Sequence, residues 1–186
     1  GDSLNIKLLT RQGSAAFAEV DTMGFTPNAT VTNAIDEQTT VLAIGNGQDL
    51  DVVKLDTYAY LDNEIVAVKA INLVAGTVTV ERGVLDTVPA PHSAAARIWF
   101  ADALEALITE QYLSGESLQV KMLPATGLGR LAESAATADS YTFAGRMIRP
   151  YPPGNVRVNN VMWPTAILGQ MALTWAHRDR MQQSVY

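Results

Sequence analysis

The chain has 186 residues, enough for one ordinary domain or two small ones, and can bury a core without disulfide or metal staples. Its formal charge of −6 excludes the basic stripe that phosphate binding needs, so no nucleic-acid partner is expected, and the absence of cysteine excludes disulfides and thiolate metal sites. Charged residues make up 17% against about 25% in an average domain, which suits broad contacts with other subunits; no apolar run approaches the roughly 20 residues of a spanning helix, so no membrane insertion is expected.

Short β-branched clusters bounded by Gly, Asn, Asp and Pro recur along the chain, the pattern of many short strands. Ala15–Asp21 alternates weakly and predicts a strand; Thr39–Ile44 predicts another, closed by Gly45-Asn46-Gly47. Thr57–Leu61 and Glu64–Val68 flank Asp62-Asn63, a pair that tolerates the positive φ of a tight hairpin turn. A second reversal from Asn72 to Gly76 leads into Thr77–Arg82, completing a predicted three-stranded meander. In its last strand Val78, Val80 and Arg82 alternate onto one face. An arginine on an apolar face must be paired, and Glu64 or Asp62 on the preceding hairpin is the candidate partner. The alternative is that the strand ends at Glu81 and Arg82 reaches water.

Ala94–Phe100 predicts a further strand. Residues 101–113 stay open between helix and strand. Leu104, Leu107, Ile108 and Gln111 fall at helical spacing, whereas Thr109–Leu113 and Ser117–Leu123 can pair across Ser114-Gly115-Glu116, and the hairpin is the expectation. A small polar connector follows Leu131, and a strand is expected around Tyr141–Phe143. Pro150, Pro152 and Pro153 cannot join a sheet interior, so residues 150–155 read as a stiff linker and the best domain boundary. Val156–Val158 and Met171–His177 then predict strands of another β-module. On the second, Met171, Leu173 and Trp175 share one face while Thr174, Arg178 and Arg180 share the other. The division expected is a mostly β module over 1–149, the linker over 150–155, and the incomplete start of a second β-domain over 156–186. The fold class is mainly β, built of small barrel or sandwich modules. A β-sandwich needs roughly 100 residues, and the chain opens on Gly1 rather than Met, so we expect a piece of a longer protein.

Few residues point to chemistry, and we expect neither catalysis nor a cofactor. His92 stands beside Ser93 in a proline-rich loop, but a nucleophile–base pair would need a buried acid and an oxyanion hole that adjacent loop residues rarely achieve. It reads instead as a loop anchor. His177 lies in His177-Arg178-Asp179-Arg180, the pattern of an exposed, salt-bridged strand end. Two histidines so far apart do not make a metal site. Asp49 and Asp51, after Asn46-Gly47-Gln48, lack EF-hand spacing and read as a solvated turn. Asp62 and Glu64 have the residue types of a glycosidase pair but flank a tight turn. The aromatic residues lie at strand positions, where packing in the core is the expectation. The structural residues expected are therefore Arg82, Glu64, Asp62, His92 and Trp175.

Asp62-Asn63-Glu64-Ile65-Val66, then Gly76–Thr87, His92 and Ala95–Phe100, together resemble a β-module that recurs in tailed-phage virion proteins. Its pattern is an acidic turn with E-I, a T-V-x-R-G strand, a G-T turn, a histidine and a closing strand; here Asp86 stands where glycine is usual. Arg149–Val158 with Thr174–Arg180 is narrower and resembles the central-hub or host-specificity proteins of siphophage and prophage tails and of gene transfer agents, in which a fibronectin-type-III-like region follows. The resemblance spans roughly Phe17–Gln182. It implies a structural module of the virion tail tip, expressed in the host cytoplasm. Such a module would act in tail assembly and host attachment, with other tail proteins and copies of itself as partners. It transfers no catalytic residue.

A bacterial receptor or glycan is the alternative partner, because exposed aromatics beside carboxylates and amides make carbohydrate sites. Trp163 and Tyr151 near Asn159 and Asn160 are the candidates. A cell-wall hydrolase is the third reading.

Overall fold

The computed structural model describes residues 3–101, 108 and 110–178. Among these residues the chain is mainly β, with thirteen strands in three groups. The first is a closed, all-antiparallel barrel of β3 (Asn28–Val31), β4 (Val41–Gln48), β5 (Tyr58–Leu61), β6 (Glu64–Asn72), β7 (Thr77–Glu81) and β8 (Arg97–Phe100). Around the barrel the order is β3-β4-β7-β6-β5-β8, and β8 pairs back onto β3 to close it.

Period-two alternation fills the interior. Each strand sends two side chains inward: Ala29 and Val31, Leu42 and Ile44, Ala59 and Leu61, Val66 and Val68, Val78 and Val80, Ile98 and Phe100. Burying a larger apolar side chain contributes about 1.5–3 kcal/mol, so this row is the main source of the barrel's stability.

The turns of the predicted meander form as the sequence expects. Asp62 sits at φ 50° in the hairpin turn, and the Asn72 carboxamide oxygen accepts from the Val74 and Ala75 amides in the next reversal. Gly45-Asn46-Gly47, however, does not close its strand. β4 runs on to Gln48, kinked at Asn46 (φ 50°), and its Gly45 carbonyl accepts from the Thr30 hydroxyl.

The second group is a curled sheet of β1 (Ser3–Gln12), β2 (Ala18–Met23), β9 (Ser117–Thr126), β10 (Gly129–Arg130) and β11 (Asp139–Thr142). β9 pairs with β1 on one side and with β10 and β11 on the other. A bulge at Leu8/Leu9 turns two successive leucines inward, breaking the alternation by which β1 could have been recognised. The expected 109–113 hairpin does not form over described residues 110–113, which are neither strand nor helix. β9 is paired along its length by β1, and its start is taken by β11. The helical alternative, with Leu104, Leu107, Ile108 and Gln111, falls largely on residues 102–107 and 109, outside the described part of the chain, and the described Ile108 and Gln111 are not helical.

The third group is a two-stranded ribbon of β12 (Gly154–Val158) and β13 (Leu173–Ala176). β12 therefore begins inside the stretch expected as linker, and the prolines precede it.

Candidate functional site

One end of the barrel is charged. Glu64 lies on the inward face of β6, two residues before Val66, and Arg82 follows the inward Val78 and Val80 of β7, so both are carried to the same mouth. Their side chains are 1% and 4% exposed. Arg82 grips the carboxylate with two bonds, Nε to Oε1 at 2.8 Å and Nη2 to Oε2 at 2.9 Å. Its remaining donors reach the carbonyls of Asp36 (2.9 Å), Thr39 (2.7 Å) and Ala90 (2.6 Å). Glu64 also accepts from the Gly83 amide at 2.7 Å and the Ala90 amide at 3.1 Å.

His92 completes the cluster, with Nδ1 2.7 Å from Asp62 Oδ2 and Nε2 2.9 Å from Glu64 Oε2. Burial pushes the Glu64 carboxyl up, but the bonds from Arg82, His92 and the Ala90 amide outweigh it and hold the group below its ordinary range.

This mouth is a fastener. It joins the β3–β4 loop, the β5–β6 turn and the β7–β8 connection, and among the described residues no buried side-chain polar atom lacks a partner. Asp62 and Glu64 thus meet through a histidine rather than across a cleft, and both ring nitrogens of His92 are engaged with carboxylates rather than with Ser93.

A groove of about 970 Å³ runs between the outside of the barrel and the ribbon. Tyr58, Ala67 and Lys69 line it from the barrel, and Tyr151, Val156 and Trp163 from the ribbon side. Lys69 bonds Asp56 at 2.9 Å and lies 3.4 Å from Glu81. Arg178 pins the ribbon to the barrel. It donates to the carbonyls of Gly83 (3.1 Å) and Leu85 (2.6 Å), and its guanidinium lies 5.4 Å from the centre of the Tyr151 ring. Burial lowers its pKa against the opposing pull of Tyr151 and Asp86.

The expected exposed ion pair at the strand end is therefore wrong for Arg178, because its partners are barrel carbonyls. His177 is exposed and lines the groove; Asp179 and Arg180 lie outside the described residues.

Of the four carbohydrate candidates, the structure brings Tyr151 and Trp163 into one groove but neither asparagine. Asn159 is used inside the ribbon loop, donating to the Gln170 carbonyl and accepting from the Ala172 amide. Asn160 supplies a left-handed turn residue at φ 65°. Trp175 lies on the ribbon at 59% exposure. Asp49 precedes a short 3-10 turn over Leu50–Val52 at φ 54°, with no side-chain capping bond, and among the described residues no group of three His, Asp or Glu could hold a metal ion.

The expectation that strand aromatics pack in the core fails for Tyr58, Tyr60, Trp99, Tyr141 and Trp175. Tyr58, Tyr60 and Trp99 point outward at 39%, 39% and 43% exposure, with Tyr60 directly opposite Trp99. Their signal was available: each alternates with an inward residue, Ala59, Leu61, Ile98 or Phe100. Neither the protein-family models nor the curated proteins contain a match to this chain.

Proposed function

We propose that the chain is a non-catalytic structural module of a phage tail-tip hub, acting in tail assembly and host attachment. The observation that carries this reading is the ribbon. Val156, Leu173 and Trp175 on the two strands, with Val161 and Met162 in the loop between them, are all 40% or more exposed, and a two-stranded ribbon cannot bury them alone. A weakly charged protein with such a surface is built to be covered by neighbours, as a hub subunit is in its ring. The barrel supplies the rigid body that a ring needs, with the buried ionisable groups of its mouth fully engaged.

The test is immunogold labelling of the source phage's virions with antibody against this chain. Gold at the distal tail end is expected; gold confined to heads or tail shafts refutes the reading. The non-catalytic part is checked separately. Purified protein should release nothing from peptidoglycan, and turnover that disappears on changing His92 or His177 would overturn it.

A further inference from the structure

The groove sets rings and carboxylates of the barrel beside Val156, Val161 and Met162 of the ribbon. Its aromatic lining does not stop at Tyr58. Tyr60 stands two residues along the same outer face of β5, and Trp99 is Tyr60's direct neighbour on β8. From Trp163 and Tyr151 on the ribbon side, through Tyr58, to Tyr60 and Trp99, rings line the groove and continue across the barrel.

Trp163 is held at φ 53°, the left-handed region, and Pro164 after it favours extended backbone at the residue before. That conformation suits glycine or asparagine, not tryptophan. Strain of this kind persists where the side chain's position matters.

The groove's charge selects among ligands. Glu37, Asp56 and Glu81 line it. Against them stands Lys69, already bonded to Asp56 and facing Glu81, while the Arg82 and Arg178 guanidiniums are engaged by Glu64 and by backbone carbonyls. Arg178 keeps its charge, so with Arg82 neutralised by Glu64 the lining sets three carboxylates against two cations, a small negative excess that disfavours an anionic polymer. A neutral sugar chain would present C–H faces to the rings and hydroxyl donors to the carboxylates, and needs no cation.

We propose that this groove binds a neutral oligosaccharide chain, with Trp163 and Tyr58 as its stacking platforms and Glu81 and Asp56 as hydroxyl acceptors. The proposal deepens, and rests on, the host-attachment part of the proposed function, and gives it a ligand class. Its failure is separable: gold can mark the tail tip whether or not sugars bind.

The experiment titrates the purified chain with neutral hexasaccharides (chitohexaose, maltohexaose, a mannan hexasaccharide) and with an anionic heparin hexasaccharide. Calorimetry and tryptophan fluorescence are the readouts. At least one neutral probe should bind with Kd of about 1 mM or tighter, and heparin hexasaccharide should bind more weakly. Trp163→Gly and Tyr58→Ala should each weaken binding by about tenfold or more. Trp163→Gly should also leave Tm unchanged or raised, because glycine accepts the left-handed backbone; a merely structural tryptophan would give a lowered Tm.

No binding of any neutral probe overturns the proposal. So does binding untouched by both variants, preference for the anionic probe, or capture of a peptide from a random library at the groove while every sugar fails.

Discussion

Replacing Arg82 with alanine removes five hydrogen bonds at once, two to Glu64 and three to the carbonyls of Asp36, Thr39 and Ala90. Water cannot simply replace them, because the Glu64 side chain is 1% exposed and stays behind at the barrel mouth. Breaking one side of such a buried pair costs about 3–5 kcal/mol, mostly the penalty of the stranded charge. At this chain length each kcal/mol lowers Tm by about 2–4 °C, so the expected drop is about 6–20 °C. Guanidinium unfolding followed by circular dichroism measures the free energy, and a thermal scan measures the shift. Arg82→Lys should recover only part of the loss, since one ammonium cannot span a bidentate carboxylate and three carbonyls. The double variant Arg82→Met with Glu64→Gln should cost less than the two single costs combined, because neither partner is left charged. An Arg82→Ala protein within about 0.5 kcal/mol of wild type would refute the reasoning, showing that His92 and the Gly83 and Ala90 amides hold Glu64 without its arginine.

Acid should unfold the protein partly through the same cluster. Glu64's carboxyl is depressed in the folded state, so its contribution is full above the unfolded value of about 4.3 and fades as pH falls through the lower folded value. Glu64→Gln should flatten the loss of stability below about pH 4, and an unchanged acid slope would assign the loss to other carboxylates. Gly83→Ala should destabilise by about 2–5 kcal/mol. Gly83 has φ +59°, and an added Cβ would stand 2.3 Å from Pro89 Cδ, so a neutral effect in denaturant unfolding would show that this connection readily shifts. Trp175→Ser should leave monomer stability within about 0.5 kcal/mol while shifting light-scattering mass from dimer or larger towards monomer. A wild-type chain that is monomeric at all concentrations would refute self-association through the ribbon.

The meander was legible because three signals agree over residues 57–82: alternation, turn residues that accept positive φ, and β-branched content. Arg82 could be placed from alternation alone, as one more inward position after Val80, and Glu64 by the same rule before Val66. The rest of the mouth could not. The Asp36 and Thr39 carbonyls and the Gly83 and Ala90 amides are backbone groups in loops, which no side-chain pattern marks.

β1 was hidden by its bulge, and β3 because Asn28–Val31 is too short to show a period. The groove was half visible. Trp163 and Tyr151 could be named, but their neighbours are set by how the ribbon docks on the barrel, and that depends on Arg178 finding the Gly83 and Leu85 carbonyls. Asn159 spends its side chain on the turn it sits in, and Asn160 supplies left-handed backbone there, neither of which a composition of amides and rings reveals.

The order of strands along the chain sets an order of events during synthesis. The barrel is contiguous, from Asn28 to Phe100, and every pairing in it is available once Phe100 has emerged. The second sheet is not. β1 needs β9, and the pair that joins Arg11 to Gln119 spans 108 residues. A ribosome adding about 5–20 residues per second leaves β1 and β2 waiting roughly 5–20 s, a hairpin with one edge open, while the barrel closes beside them. The barrel then holds Asn28 and Trp99 as direct neighbours across β3 and β8, and both lie between β2 and β9 in the chain. That shortens the loop β1 and β9 must close and lowers its entropic cost. The inserted barrel is thus a built-in template for the sheet whose strands flank it along the chain. A chain stalled before Ser117 should already resist protease over residues 28–100 while remaining cleavable within β1.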